Sequence, residues 1–519
     1  MLLGVDIGTS AAKVTVIDQT GRTVSGASVS YEVDRPRDGW AEQPVRRWWG
    51  AAAEGIRSAL GRGAIAPERV LGVGLSGQMH GSVFLDRRAI EGARDGEIDA
   101  IRPALLWNDQ RTGTQCEEIE RLAGGAPALV AVVGNRALTG FTLPKLLWLR
   151  EHEPEAYARV RAMVQPKDFI RLQLTGKPGT DVGDASGVLL LDIERREWSG
   201  EMCRRVDIDP AILPTLQESA VVVGGVTEWA ASRTGLRAGT PVVAGTGDNA
   251  AGAIGAGVVV PGLVLATLGT SGVMYAHSEH PRRDTANRAT PGRTQTMCAA
   301  DGSGAQAGHW CVTGCILSAA GSLRWARDVI APGVAFETLE AEAAAVSPGC
   351  DGLVFLPYLS GERCPHPDPL ARGGWVGLRA QHTRGHLIRA VMEGVTFGMA
   401  QMLDLVRSLP VGVERVRLGG GGNRSELWRR MQADVYGLPC AVLNSDEGPA
   451  FGVALLAGVG IGVWPTVAGA CSSTIREVRT YEPDAVAGGR YREARAVYER
   501  LYADLTPAMH ALSGSGATV

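Results

Sequence analysis

Leu2-Leu3-Gly4-Val5-Asp6-Ile7-Gly8-Thr9-Ser10 reads as a strand over residues 2–6 that breaks at a Gly-Thr-Ser corner. A second strand follows over 14–17. The turn Asp18-Gln19-Thr20-Gly21 comes next, and a third strand starts near Thr23. Short apolar runs joined by tight turns predict a β-meander. The corner returns at Thr267-Leu268-Gly269-Thr270-Ser271-Gly272, again behind an apolar strand, 263–267. Each copy stands near the start of one half of the chain. A duplicated βββ unit explains this; chance repetition of so short a match is the other reading.

Working outward, 519 residues suggest more than one domain, and 45% hydrophobic with 21% charged residues is an ordinary globular balance. The 69 glycines cluster where strands should meet helices, the places where backbone approaches a ligand closely. A net charge of -3 without a long basic run excludes the electrostatic footprint of a nucleic-acid or acidic-membrane partner. Arg282-Arg283 reads as solvated surface. The nine cysteines form no CxxC pair, and no His or further Cys stands at metal spacing from Cys311 and Cys315. Buried thiols in a reducing, cytoplasmic setting are the expectation. The N-terminus shows no secretory pattern, and the apolar run over 253–268 is broken by Pro261 and several glycines, so no membrane span is expected.

Residues 70–75 read as a buried strand ending in Ser76-Gly77. Helical patterns cover 144–152, 153–160, 167–174, 385–408 and 488–512, the last fraying into a Ser/Gly tail. Residues 241–244 form a short strand, Gly245-Thr246-Gly247 a loop, and Asp248 opens an Ala/Gly-rich helix. A strand over 415–418 runs into Gly419-Gly420-Gly421-Gly422. There Asn423 is the expected N-cap, with Glu426 completing a capping box and Gly437 ending the helix. The domain division is placed at 245/246.

Several of these positions carry chemistry. Small residues at Gly8-Thr9-Ser10 let backbone N–H groups face an anion, and Lys13 adds a donor. Asp6 beside such a loop makes sense with a divalent cation between carboxylate and phosphate, though a tight hairpin with an Asp cap reads equally well. Gly269-Thr270 repeats the logic. The Gly419–Gly422 turn suits a nucleotide at a helix start, or is a structural turn. Asp248, with neighbours too small to cover it, can accept the proton of an attacking hydroxyl, or is a helix cap. His80 in Ser76-Gly77-Gln78-Met79-His80-Gly81 and the string Trp107-Asn108-Asp109-Gln110-Arg111 have the composition of a carbohydrate site, with packing roles as the alternative.

Taken in order, V-D-I-G-T-S, G-W-A-E-Q, S-G-Q-M-H-G, W-N-D-Q-R, F-T-L-P-K-L-L-W, G-T-G-D-N-A-A-G-A-I-G, L-G-T-S-G, F-L-P-Y-L-S-G-E-R, L-G-G-G-G and G-P-A-F-G resemble the FGGY carbohydrate kinase family over nearly the whole chain. The resemblance implies an α/β fold of two ribonuclease-H-like domains, of the actin and sugar-kinase superfamily, facing a central cleft. It implies a sugar-binding domain over 1–245 and a nucleotide-binding domain over 246–519. It also implies Mg-ATP as phosphoryl donor, and Met79-His80-Gly81 points to D-xylulose as acceptor. Carried over, Asp248 is the general base and Asp6 holds the metal through water. Met79, His80, Trp107, Asn108, Asp248 and Asn249 bind sugar. Gly8, Thr9, Ser10, Lys13, Gly269, Thr270, Gly420, Gly421, Gly422 and Asn423 contact the nucleotide. A homodimer is compatible with the resemblance. Two stretches depart from it: Gly361-Glu362-Arg363-Cys364-Pro365, with Cys364 for the family's Thr, and 284–310 with its Gly302-Ser303-Gly304. The competing readings are a kinase for ribulose, fuculose, gluconate or glycerol, and a non-catalytic ATP-dependent switch of the same superfamily.

Overall fold

The computed structural model describes residues 1–285, 287, 290–303, 306–445 and 448–515. Gly304 of the unfamiliar stretch and the last four residues of the Ser/Gly tail lie outside the described residues. The chain divides into two compact units. The first holds Met1–Val260, Ser278–Cys311 and Glu447–Ile475, and the second Pro261–His277, Val312–Asp446 and Arg476–Val519.

In the first unit, β1 (Leu2–Ile7), β2 (Ala11–Ile17) and β3 (Thr23–Ser30) form the meander. β4 (Gly72–Gly77) lies parallel to β1 on its other side. β5 (Val222–Gly225) edges the sheet against β6 (Pro241–Val243), and β6 and β7 (Thr246–Gly247) both run parallel to β4. The order is β5-β6-β4-β1-β2-β3. Every residue of β1 and β4 is buried, as for strands covered on both faces. Trp48, Ile56 and Phe169 fill one side with Val5, Val14 and Val16. On the other lies the helix Gly448–Gly460, so close that a Cβ at Gly4 or Gly74 would stand 1.8 Å from the carbonyl oxygen of Ala450 or Val453.

That helix also explains why the division expected at 245/246 is wrong. Residues 248–255, the helix opened by Asp248, pack on it through glycines. A Cβ at Gly452 would stand 1.9 Å from Ala251 O, and one at Gly255 2.5 Å from Gly448 O. Asp248 therefore belongs to the first unit, and two later stretches return to complete that unit.

The second unit's sheet carries β8 (Gly262–Leu268), β9 (Gly272–Ser278), β10 (Trp310–Ile316), β11 (Val413–Gly419), β12 (Cys440–Leu443) and β13 (Glu477–Tyr481) in the order β10-β9-β8-β11-β12-β13. β8 pairs antiparallel with β9 and parallel with β11, which repeats β1 between β2 and β4. The Gly-Thr-Ser corners occupy equivalent places. Gly8 N donates to Ala11 O and Gly269 N to Ser271 O, both at 3.0 Å.

The helix after the four glycines starts later than expected. Residues Gly421–Arg424 continue as a 3-10 turn, and Ser425, not Asn423, caps the helix Glu426–Tyr436 by accepting from Trp428 N at 3.1 Å. The capping box with Glu426 is thus absent; Gly437 does end the helix, at φ +64°. None of the nine cysteines is in a disulfide, and seven of them are buried. Among the described residues no helix is long and apolar enough to cross a membrane.

Candidate active site

The parallel register of the first unit sets three groups side by side. Asp6 of β1 and Thr246 of β7 both align with Ser76 of β4. This is the carboxyl end of parallel strands, where chains diverge and leave room for ligands. Asp248 follows at the first turn of α1 (Asp248–Gly255), with Gly247 as N-cap, so its side chain is not the cap. Asp6 is buried and Asp248 half-buried. Burial pushes the Asp6 carboxyl up to about 6, partly offset by Ser76 and by Lys13, its cross-strand partner. Burial, then the Asp6 charge, pushes Asp248 up to about 7. Among the described residues Asp6 Oδ1 has no hydrogen-bond partner. A buried oxygen left unpaired beside a second carboxylate is costly, and a hard divalent cation relieves that cost. The residues present fit such an ion.

β4 leads into the loop Gln78-Met79-His80-Gly81. Met79 packs on Gly247, where a Cβ would come within 2.6 Å of Met79 Cγ. His80 takes the left-handed conformation at φ +65°. Its ring meets the edge of Phe141 with centroids 4.3 Å apart, and a Cβ at Gly187 would strike its Nδ1 at 2.2 Å. Asn249 is half-buried beside Asp248 on the same helix turn.

The Gly8-Thr9-Ser10 corner is braced by the side chains of other motifs. Tyr31 Oη donates to Gly8 O at 2.6 Å, and Gln43 Nε2 to Thr9 O at 2.8 Å. Trp107 Nε1 donates to Thr9 Oγ1 at 2.9 Å, so this tryptophan ties the sugar-type string to the corner. Gln43, fully buried, also accepts from Gln78 Nε2 at 3.2 Å and links the two loops. Asn108 keeps a buried Oδ1 without a partner among the described residues. The remainder of the string does something else. Arg111 sits 3.5 Å over the Trp40 ring and pairs with Asp109 and Glu42, both at 2.7 Å. Asp109 Oδ2 accepts from Ala41 N at 2.7 Å. Asp109, Glu42 and Arg111 are thus paired with one another inside the fold.

Sequence reasoning missed Asp181-Val182-Gly183-Asp184-Ala185-Ser186-Gly187. This stretch forms a floor: a Cβ at Gly183 would stand 2.6 Å from Thr246 Oγ1, Asp184 Oδ1 is 3.2 Å from where a Gly247 Cβ would be, and Gly187 faces His80. Beneath it, fully buried Lys167 pairs with Asp168 at 2.5 Å, Asp181 at 3.0 Å and Asp184 at 3.6 Å. Burial holds Asp184 well above the ordinary carboxyl range. Lys167 opposes that, while the charges of Asp168, Asp181 and Asp248 add to it. The one signal in the sequence was the spacing of Asp181, Asp184 and Gly187.

In the second unit a cavity of about 460 Å³ is lined by Leu268, Gly269, Thr270, Gly421, Gly422 and Trp428, among others, a size suited to a small-molecule ligand. Gly420 supplies a turn at φ +83° whose Cβ would stand 2.7 Å from Leu268 O. Asn423 turns inward instead of lining the cavity. Its Nδ2 donates to Gly419 O at 2.5 Å, and its Oδ1 accepts from Gln432 at 2.6 Å. The expected nucleotide contact at Asn423 is therefore corrected to a structural role, because both ends of its amide are already used.

Residues 1–255 match the model of the N-terminal domain, and 264–461 that of the C-terminal domain, of the FGGY family of carbohydrate kinases. The chain belongs to this FGGY family. Among its relatives, the xylulose kinase of Bacillus subtilis is 35% identical over 501 residues, 96% of each chain. The xylulose kinase of Escherichia coli is 35% identical over 513 residues, covering 98% of this FGGY chain and all of its own. The crystal structure of a "xyloylose kinase" from Brucella ovis matches with a TM-score of 0.86 at 34% identity, over 98% of this chain and 99% of that one. The FGGY assignment makes the protein a carbohydrate kinase with the two-domain α/β fold of that family.

Proposed function

We propose that this kinase transfers the γ-phosphoryl group of ATP to the C5 hydroxyl of D-xylulose, giving D-xylulose 5-phosphate and ADP. The observation that carries the reading is Asp248, half-buried at the carboxyl end of the first unit's parallel strands, beside the Met79–His80 loop. The xylulose kinases to which the chain is similar over nearly its whole length support the choice of sugar.

Asp248 accepts the hydroxyl proton as the oxygen bonds to the γ-phosphorus, and the bond to the β-phosphate oxygen of ADP breaks. Met79, His80, Trp107, Asn108 and Asn249 orient the sugar. Gly8, Thr9, Ser10 and Lys13, with Gly269, Thr270, Gly420, Gly421 and Gly422, receive or shape the loops that receive the nucleotide. Asp6 is the residue that would hold Mg²⁺ through water; when bound, the ion supplies neutralising charge for the phosphates.

ADP release with Mg-ATP tests the reading against D-xylulose, D-ribulose, L-ribulose, L-fuculose, gluconate and glycerol. Strong stimulation by D-xylulose alone is expected. A different winner keeps the kinase and discards D-xylulose; no stimulation by any sugar removes the proposal. The proton acceptor also sets a pH dependence. Asp248 must be ionised, so kcat/KM for the sugar falls tenfold per pH unit on the acid side. A cation held by Asp6 would offset the like-charge repulsion that helps raise Asp248, and so would put that limb below about 7. A profile flat down to pH 4 would take the base role from Asp248.

A further inference from the structure

His80 combines a side chain assigned to the sugar with a backbone conformation unfavourable for any residue bearing a Cβ, φ +65°. Such a conformation persists only where its surroundings enforce it. Two side chains from the helix Thr142–His152 meet at the His80 carbonyl: Lys145 Nζ donates to it at 2.9 Å and Thr142 Oγ1 at 3.1 Å. Lys145 also donates to Gly140 O at 2.6 Å. Both donors are completely buried. Lys145 spends its hydrogen bonds on neutral carbonyls, an expensive use of a buried ammonium, and burial lowers its amine to about 7. On the other side of the residue, Phe141 and the bare Cα of Gly187 fix the ring.

We propose that Lys145, assisted by Thr142, is a positioning residue for sugar recognition: it locks the left-handed turn at His80 so that the imidazole is presented to the sugar hydroxyls. This rests on the assignment of His80 to the sugar site. The mechanism gives Lys145 no contact with either substrate.

The test is steady-state kinetics of Lys145→Met, Thr142→Val, His80→Gly and the doubles that combine each of the first two with His80→Gly. His80→Gly is expected to raise KM for D-xylulose, because glycine accepts the turn but offers no imidazole. Lys145→Met is expected to raise the sugar KM tenfold or more, with KM for ATP unchanged within twofold and kcat falling less than KM rises. Thr142→Val should do the same more weakly. In the His80→Gly background neither change should raise the sugar KM further, since nothing remains to be positioned. A sugar KM within twofold of wild type in Lys145→Met, equal rises for sugar and ATP, or an undiminished further rise in the double variant overturns the proposal. Should Lys145→Met fail to fold, Thr142→Val alone and with His80→Gly decides it by the same criteria. A His80→Gly variant with unchanged sugar KM removes the His80 assignment itself, and the Lys145 role with it.

Discussion

Asn in place of Asp248 lowers kcat by ~10²–10⁴ while the sugar still binds, the usual scale for a positioned proton acceptor. The amide keeps the size of the side chain at the first turn of α1 but cannot take the proton. The Asp248 carboxyl stands near 7 through burial and the Asp6 charge, so its ionised form is a stronger base than a solvent-exposed carboxylate while still present at neutral pH. Turnover of the variant, with sugar affinity measured by calorimetry, separates the outcomes. Loss of turnover with retained binding is the expected pair. Turnover within tenfold of wild type takes the chemistry away from Asp248, and loss of both would make it an anchor for the sugar rather than its base.

Lys167→Met destabilises the protein by about 3–5 kcal/mol at neutral pH, the scale for leaving buried charge uncompensated. Asp168, Asp181 and Asp184 are all fully buried around this ammonium, and Arg171 is a further cation acting on Asp168. Asp168 and Asp184 already stand above the ordinary carboxyl value because of burial, and Lys167 is what restrains them. Without it they rise further, and the folded state binds protons that the unfolded chain, near 4, releases. Stability of the variant then increases as pH falls from the raised folded values toward about 4. Denaturant unfolding at pH 7.5 and pH 5 reads this directly: the deficit against wild type shrinks at pH 5. An equal deficit at both pH values would mean that packing, not charge, explains the cost.

The meander, both Gly-Thr-Ser corners and the Asp248 turn were legible because each is written in a few consecutive residues: a short apolar run, then residues that permit a tight turn. What lay outside such local reading depended on distant partners. Nothing in residues 448–460 announces that they pack on β1 and β4, so the domain division was misplaced. Asn423 and Ser425 are both good caps, and the choice between them is made by Gln432 and Gly419, which claim the asparagine amide. Asp109 and Arg111 have the composition of a sugar site, but their partners lie some 70 residues earlier: Glu42 and Trp40 engage Arg111, and Ala41 N donates to Asp109. The floor at 181–187 was invisible for a related reason: small residues there matter for what they leave room for, and that depends on His80 and Thr246.

The helix Gly448–Gly460 lies against β1 and β4 at backbone contact, yet it is encoded almost 190 residues after the rest of the first unit's opening segment ends at Val260. At bacterial and eukaryotic elongation rates, roughly 10–40 s separate synthesis of the sheet from synthesis of the helix that covers it. During that interval the nascent chain carries an uncapped sheet face, a surface for chaperones or for association between neighbouring polysomal chains. Slowing translation between codons 261 and 447 therefore lengthens the most aggregation-prone period of this protein's biogenesis, without touching any residue of the finished enzyme.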